Sequence, residues 1–302
     1  MQRYALIAQW FCDRSLHLIK LVGLLSVPIV IGCQSGTQCQ VDAPVSSPIE
    51  RFKAGQNLAK TGNYEGALAE YAWCLDCGLA MDPTFVGVHH TALLRAIRKL
   101  ATEYPAALDM LQRRQAQLES KIVGSTANDE DVTLFVAINK ALDEQARSAQ
   151  AYAKLVQGHS PSELRAALWN WVIEYLFERK GFDAIAKETP TTMLVVSSGA
   201  AKISLERHRT RPDSPPPRVL RVAAMQYRSL LETGSGEEAT AFANDIFTLG
   251  KLAETFGLLL QQAREARNDE AVAFLLREAR ARLSDEEYGE LERPAGVKPP
   301  RR

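Results

Sequence analysis

Apolar residues recur at the spacing of an α-helix along most of the chain beyond residue 47. In one stretch they lie three, four or seven positions apart and form a single stripe: Phe135, Ile138, Leu142, Ala149, Tyr152 and Val156. Such a stripe is typical of amphipathic helices. No segment alternates apolar and polar residues for long, and the β-branched run Met193 to Val196 suits a short strand or a buried helix equally. We therefore predict an all-α fold of about ten or more helices.

Capping signals mark where several of these helices begin. Ser47-Pro48-Ile49-Glu50 has the form of a capping box, in which the serine oxygen accepts a backbone N–H and the glutamate reaches back. The same pattern recurs at Ser160–Glu163 and Ser284–Glu287, and it makes Ser160 a predicted helix cap. Asp82-Pro83 and Thr189-Pro190 are further starts of the cap-then-proline type.

Proline-rich segments predict where the helices are interrupted. Residues 209–218 contain four prolines, which remove backbone donors and block a helix, so this stretch should be a loop. It divides the predicted helices into residues 47–208 and 219–292. Residues 293–302 carry three prolines and a glycine, and we expect a disordered tail.

The N-terminus has the pattern of an export signal. The apolar run Leu21–Ile31 follows Lys20 and ends at Gly32-Cys33. The segment Val30-Ile31-Gly32-Cys33 resembles the lipobox of bacterial lipoproteins. That resemblance implies that residues 1–32 are cleaved and that the Cys33 thiol carries a diacylglycerol. Two alternatives are a cleaved signal without lipid and an uncleaved anchor, although a spanning helix needs about 20 apolar residues.

Composition leaves a globular body attached to this signal by a short linker. Residues 33–46 are rich in Gln, Ser, Gly and Thr and should form a flexible tether. The 302-residue chain is 46% apolar and 24% charged, which is ordinary for a globular protein. Without residues 1–32 it has 33 basic and 35 acidic residues, a formal net charge of −2. This balance gives no strong field for nucleic acid, so we predict no nucleic-acid partner.

A motif near the start of the body indicates a helical hairpin. Its residues have assigned packing roles: Gly62 ends one helix, where a left-handed backbone is cheap for glycine, and Tyr64 fills the turn. Ala67 is small where the two helices approach most closely, and Tyr71 and Cys74 continue the inner face.

This motif resembles the tetratricopeptide repeat, which has glycine, aromatic, alanine, aromatic and alanine at these relative positions. A second copy keeps Tyr104 and Ala107 at the same spacing forty residues later. Fainter turns of this kind occur at Gly234–Ala239 and Asn268–Ala271. The resemblance implies a solenoid of helical hairpins whose concave face binds a protein or peptide. An irregular helical bundle with incidental turns is the alternative.

The cysteines and histidines suggest cross-linking more than metal binding. Cys39, Cys74 and Cys77 remain once Cys12 and Cys33 are assigned to the leader and the lipid, and an exported compartment permits a disulfide among them. Either Cys74 pairs with Cys77, or one of the two pairs with Cys39. Four of the cysteines and histidines fall close together: Cys74, Cys77, His89 and His90. Adjacent histidines on a helix point about 100° apart, so we predict no metal site.

No phosphate-binding glycine loop and no metalloprotease motif occurs in the sequence. We therefore predict no cofactor, no catalytic residue and no enzymatic activity. The sequence predicts a lipoprotein of the bacterial cell envelope, in the outer membrane if the cell has one. Its helical body would be a scaffold or assembly factor for another envelope protein or peptide. The alternatives are a soluble secreted or periplasmic form, and a helical envelope enzyme or ligand-binding protein.

Overall fold

The chain forms a compact helical body in a computed structural model. The structure describes three stretches: residues 47–209, 215–248 and 252–292. All of them lie within one compact unit. The predicted leader, tether and tail lie outside the described residues, as do residues 210–214 of the predicted loop. The described residues form fifteen α-helices and no strand, which confirms the all-α prediction.

The first six helices and two short non-α turns are consecutive along the chain. Their bounds are α1 (Pro48–Lys60), α2 (Tyr64–Met81), a 3-10 turn (Pro83–Phe85), a π-helix (Val88–Leu93), α3 (Leu94–Leu100), α4 (Ala106–Val123), α5 (Asp129–Ala141) and α6 (Gln145–Gln157).

The remaining helices are shorter on average and include one long central helix. Their bounds are α7 (Ser162–Glu178), α8 (Phe182–Ala186), α9 (Thr189–Ser197), α10 (Gly199–Arg209), α11 (Arg218–Glu232), α12 (Gly236–Ile246), α13 (Leu252–Glu265), α14 (Asp269–Arg282) and α15 (Asp285–Glu292). The ambiguous run Met193 to Val196 lies inside α9 and is therefore helical.

Two helix starts have the predicted caps, and the structure corrects two other predicted caps. The Ser47 N–H donates to Glu50 Oε2 at 2.8 Å, and Glu50 N–H donates to Ser47 Oγ at 3.3 Å. Ser284 and Glu287 make the same reciprocal pair. Ser160 does not cap α7, because that helix begins two residues later, after Pro161, without a side-chain cap. Thr189 is already the first residue of α9 and donates back to the Ala186 carbonyl.

The helices from α4 to α6 pack around a buried polar network. The stripe that predicted this region is divided between α5 and α6, because Asp143 adopts a left-handed backbone with φ 59° and reverses the chain. The buried Gln115 of α4 donates to Asn139 Oδ1 at 2.6 Å, and Asn139 donates to Ser148 Oγ at 2.8 Å. Since burying a polar group without a hydrogen bond costs free energy, this network favours the one arrangement of the three helices in which its hydrogen bonds form.

Helix α11 is the centre of the C-terminal part. It contacts α7, α8, α9 and α10 as well as α12 and α13. Near its middle, the Trp169 indole N–H donates to Thr192 Oγ1 at 2.8 Å, and Thr192 donates to Gln226 Oε1 at 2.9 Å. These three buried side chains join α7, α9 and α11.

The buried apolar residues form two clusters that share this helix. Val222 of α11 packs in the N-terminal cluster, while Leu230 of the same helix packs in the C-terminal one. Val196 already belongs to the C-terminal cluster. The division at residues 209–218 stays a prediction, and α11 packs across the line where the two clusters meet. Among the described helices, none has the length and apolar character needed to cross a membrane.

Candidate functional site

The predicted repeat residues lie in the hairpin of α1 and α2. Gly62 adopts φ 81° in the turn between the two helices, a conformation that glycine reaches at little cost. Ala67 is fully buried, and Tyr71 is 2% exposed. Tyr71 lies so close to Gly55 of α1 that a Cβ at Gly55 would stand 2.6 Å from Tyr71 Cε1. The absent side chain at Gly55 therefore allows the aromatic ring to sit between the two helices.

Cys74 continues this inner face as a free, fully buried thiol. Its Sγ donates to the Pro48 carbonyl at 3.5 Å, and burial, with a smaller effect from Glu70, raises its pKa to about 12. Cys77 is disulfide-bonded, whereas Cys74 is free. Cys74 and Cys77 are therefore not joined to each other. Cys39 also lies outside the described residues, and its pairing with Cys77 stays a prediction.

The second predicted copy packs against the first. Ala107 and Leu111 of α4 are fully buried. The ring of Tyr104, just before α4, lies 6.5 Å from the ring of Tyr64, measured between centroids. The two aromatic residues that hold equivalent positions in the predicted copies are thus in contact. The relation to the tetratricopeptide repeat itself stays a prediction.

A groove of about 450 Å³ runs along this pair of hairpins. Its two walls come from α1 and α3, and the side chains of Tyr64 and Tyr71 from α2 lie between them. The lining consists of Gln56, Ala59, Lys60, Tyr64, Tyr71, Ala92, Arg95, Ala96, Lys99, Leu100 and Glu103. Burial raises the pKa of Tyr71, so its hydroxyl stays protonated at neutral pH. The groove therefore combines a neutral, partly aromatic floor with two small alanines on the opposite wall, Ala92 from the π-helix and Ala96 from α3.

The rim of the groove carries three exposed cations, Lys60, Arg95 and Lys99, against one carboxylate, Glu103. Within the described residues none of these three cations makes an ion pair. Arg98, on another face of α3, donates to Asp143 Oδ2 at 2.5 Å. The same short helix thus has a neutralised cation away from the groove and unneutralised ones in it.

The π-helix holds two adjacent histidines, of which His89 is buried and His90 is half-buried. The rings of His89 and His90 lie 4.9 Å apart, and His89 Nε2 is 2.9 Å from the Leu75 carbonyl. His89 Nδ1 and His90 Nε2 have no hydrogen-bond partner. Burial lowers the pKa of His89, and burial together with His89 lowers that of His90 to about 4. In the described part of the chain, no three metal-ligating side chains are grouped closely enough to hold an ion.

A second, larger groove of about 930 Å³ lies in the C-terminal part. The two faint repeat-like turns meet there, since both Gly234–Thr240 and Asn268–Ala271 contribute to its lining. Glu237, Glu238 and Glu270 face it, together with Arg277. Its lining is more polar than that of the first groove. We take the groove between α1 and α3 as the candidate site because it pairs an apolar floor with unneutralised charge.

The motif analysis identified the floor of this site but not its charged rim. Tyr64 and Tyr71 belong to the repeat signature, whereas Lys60, Arg95 and Lys99 belong to no motif. A helical projection offers the only signal for them. Arg95 and Lys99 are four residues apart on the face that also carries Ala92 and Ala96, while Leu93, Leu94 and Ile97 are buried.

No protein-family model matches this chain, and neither a curated protein nor a solved structure is significantly similar to it.

Proposed function

We propose that this protein is a lipid-anchored scaffold of the bacterial cell envelope whose helical body binds an extended segment of another envelope protein. The observation that carries the proposal is the groove between α1 and α3. It has an aromatic floor, and polar side chains stand along its rim. A groove of this kind suits a chain that lies lengthwise and places alternate side chains on the floor and towards the rim.

The lipid anchor in this proposal depends on the sequence alone. The small–cysteine boundary Gly32-Cys33 directly follows an apolar run and a basic residue. A tether from Cys33 to residue 46 would let the body reach a partner a short distance from the membrane. About a dozen flexible residues span roughly 20 Å on average.

Photo-crosslinking in living cells tests the binding site directly. A photoreactive amino acid replaces Ala96 in the groove, and a matched one replaces the exposed Lys140 on α5. We expect a covalent adduct with one envelope protein from position 96 and not from position 140. Mass spectrometry identifies the adduct, and the purified partner should bind the purified full-length protein. Equal adducts from both positions, or none from position 96, would contradict the proposed site.

A small ligand is the second candidate, because about 450 Å³ falls within the usual range for small-molecule pockets. The two hypotheses predict different effects of the same substitution on binding. A bulky side chain at Ala92 would remove small-ligand binding. A chain lying along the whole groove would keep its contacts beyond that point and lose affinity only in part. An enzyme would need an acid and a base that converge on a substrate, and the lining supplies one carboxylate, Glu103.

A further inference from the structure

The charge of the groove differs from that of the molecule as a whole. The full chain has 36 basic and 36 acidic residues, so no general positive field surrounds it. The groove nevertheless presents Lys60, Arg95 and Lys99 against Glu103 alone. The excess of positive charge is therefore local and belongs to the candidate site.

Stabilisation of the helices explains only part of this arrangement. Lys60 and Lys99 stand in the last turns of α1 and α3, where a cation opposes the negative end of the helix dipole. The interaction with the helix dipole depends on how close the cation is to the end of the helix, and not on which face of the helix carries it. It would be served equally by Arg98, which is in the same turn and pairs with Asp143. Arg95 lies one turn earlier, inside the continuous helix that the π-helix and α3 form, where the helix dipole gives a cation no support.

The aromatic floor of the groove restricts which negatively charged partners can bind there. Tyr64 is half-buried and Tyr71 is buried, and Ala92 and Ala96 leave space above them. A lipid bilayer presents a flat array of headgroups and would suit cations on an open face. Here the cations flank a groove with a partly aromatic floor. A ligand that fits both features has carboxylates on one side and an apolar side chain on the other.

We infer that the groove binds an acidic extended segment of the partner protein. Its Asp or Glu side chains would pair with Lys60, Arg95 and Lys99, and an apolar side chain between them would contact Tyr64 and Tyr71. The inference rests on the proposed function and adds the chemical class of the partner segment. It makes charge, and not only shape, the source of selectivity.

Fluorescence anisotropy with short labelled peptides tests the inference on the detergent-solubilised full-length protein. One peptide alternates Glu, Ser and Leu, and its matched form has Gln in place of every Glu. We expect the acidic peptide to bind more tightly, and added salt to weaken it because exposed charge pairs are screened. In Arg95→Gln/Lys99→Gln we expect its affinity to fall roughly tenfold, the sum of two partly exposed pairs.

A control variant of equal charge separates the groove from the general field. Arg98→Gln/Arg113→Gln removes two exposed cations that do not line the groove, and it should leave the affinity for the acidic peptide unchanged. Equal binding of the Glu and Gln peptides, with crosslinking at position 96 intact, would overturn the inference and leave the proposed function standing. Failure of both peptides together with loss of crosslinking would overturn both.

Discussion

At the residue scale, the cysteines give the sharpest test of how the N-terminal segment is attached to the body. Cys74 is a free thiol and Cys77 is disulfide-bonded. If the leader with Cys12 is removed and Cys33 carries lipid, Cys39 is the one cysteine left to pair with Cys77.

We therefore predict a Cys39–Cys77 disulfide in the mature protein. Non-reducing peptide mapping by mass spectrometry should find that bridge, with Cys74 as the only free thiol after denaturation. In the folded protein Cys74 should react slowly with thiol reagents, because it is buried and its raised pKa keeps it protonated. A Cys39 thiol that labels readily in the oxidised protein would contradict the pairing.

Ala67 gives a test of the close contact between α1 and α2. Leucine at this fully buried position has no space to occupy, so Ala67→Leu should lower the free energy of unfolding by about 1–3 kcal/mol. Ala69→Leu is the control, since Ala69 is exposed on the same helix two residues away. Urea unfolding of both variants measures the difference. Similar midpoints for the two would show that the contact is not tight.

At the element scale, the π-helix is the feature that sequence reasoning did not predict. The adjacent histidines looked like residues of one regular helix, in which both rings rarely serve one role. The wider π turn brings the two rings together edge to face, with His89 buried against Phe85 and the Leu75 carbonyl and His90 half-buried beside it. Periodicity over so few residues does not distinguish a π turn from an α turn, because the choice depends on packing against α2 and α5.

This histidine pair predicts a specific loss of stability in mild acid. Burial lowers both pKa values in the folded state, so the unfolded chain binds protons more tightly. The stability that the neutral histidines give the folded state is fully present above their unfolded-state pKa of about 6.5. It is lost as the pH falls towards about 4, the folded-state pKa of His90. The hydrogen bond to the Leu75 carbonyl and, to a smaller extent, the charge of Glu130 oppose the effect of burial on the pKa of His89 without cancelling it.

Urea unfolding at pH 7.5 and at pH 5.0 measures this dependence. The carboxylates whose pKa values are lowered, such as Glu119, lose their contribution mainly below this range. His90→Gln should reduce the difference between the two pH values, whereas His159→Gln, at an exposed position, should retain it in full. The same difference in both variants would assign the acid sensitivity to other groups.

Helix starts show how far local sequence rules extend in this chain. Ser47-Pro48-Ile49-Glu50 and Ser284–Glu287 form capping boxes as predicted, because all partners of the motif lie within four residues. Ser160 has the same sequence pattern, yet its Oγ accepts a hydrogen bond from Ser125 Oγ at 3.1 Å instead of capping a helix. The capping-box pattern spans four residues, so it cannot predict a contact between residues 35 positions apart.

At the scale of the whole molecule, the helical class was predictable, but the order of packing was not. The apolar period and the absence of alternation gave an all-α body. The clusters meet through Trp169, Thr192 and Gln226, and this junction depends on three polar groups brought together from distant helices. The groove was predicted only in its floor, because repeat-like residues mark buried contacts. The charges on its rim belong to no motif, because they come together only where α1 and α3 line the same groove in the folded chain.

One substitution should abolish attachment to the membrane and leave the folding and peptide binding of the helical body unchanged. Cys33→Ser removes the thiol that would carry the lipid, so we predict that labelling with a radioactive fatty acid disappears and that the protein leaves the membrane fraction or accumulates as precursor. Every residue that lines the groove lies between 56 and 103, in the helical body. Its thermal unfolding and its affinity for the acidic peptide should therefore equal those of the unaltered protein in the same detergent. Unchanged labelling and membrane association would remove the lipoprotein proposal. Loss of peptide binding in Cys33→Ser would instead show that the anchor takes part in the site, which contradicts a groove lined only by residues 56–103.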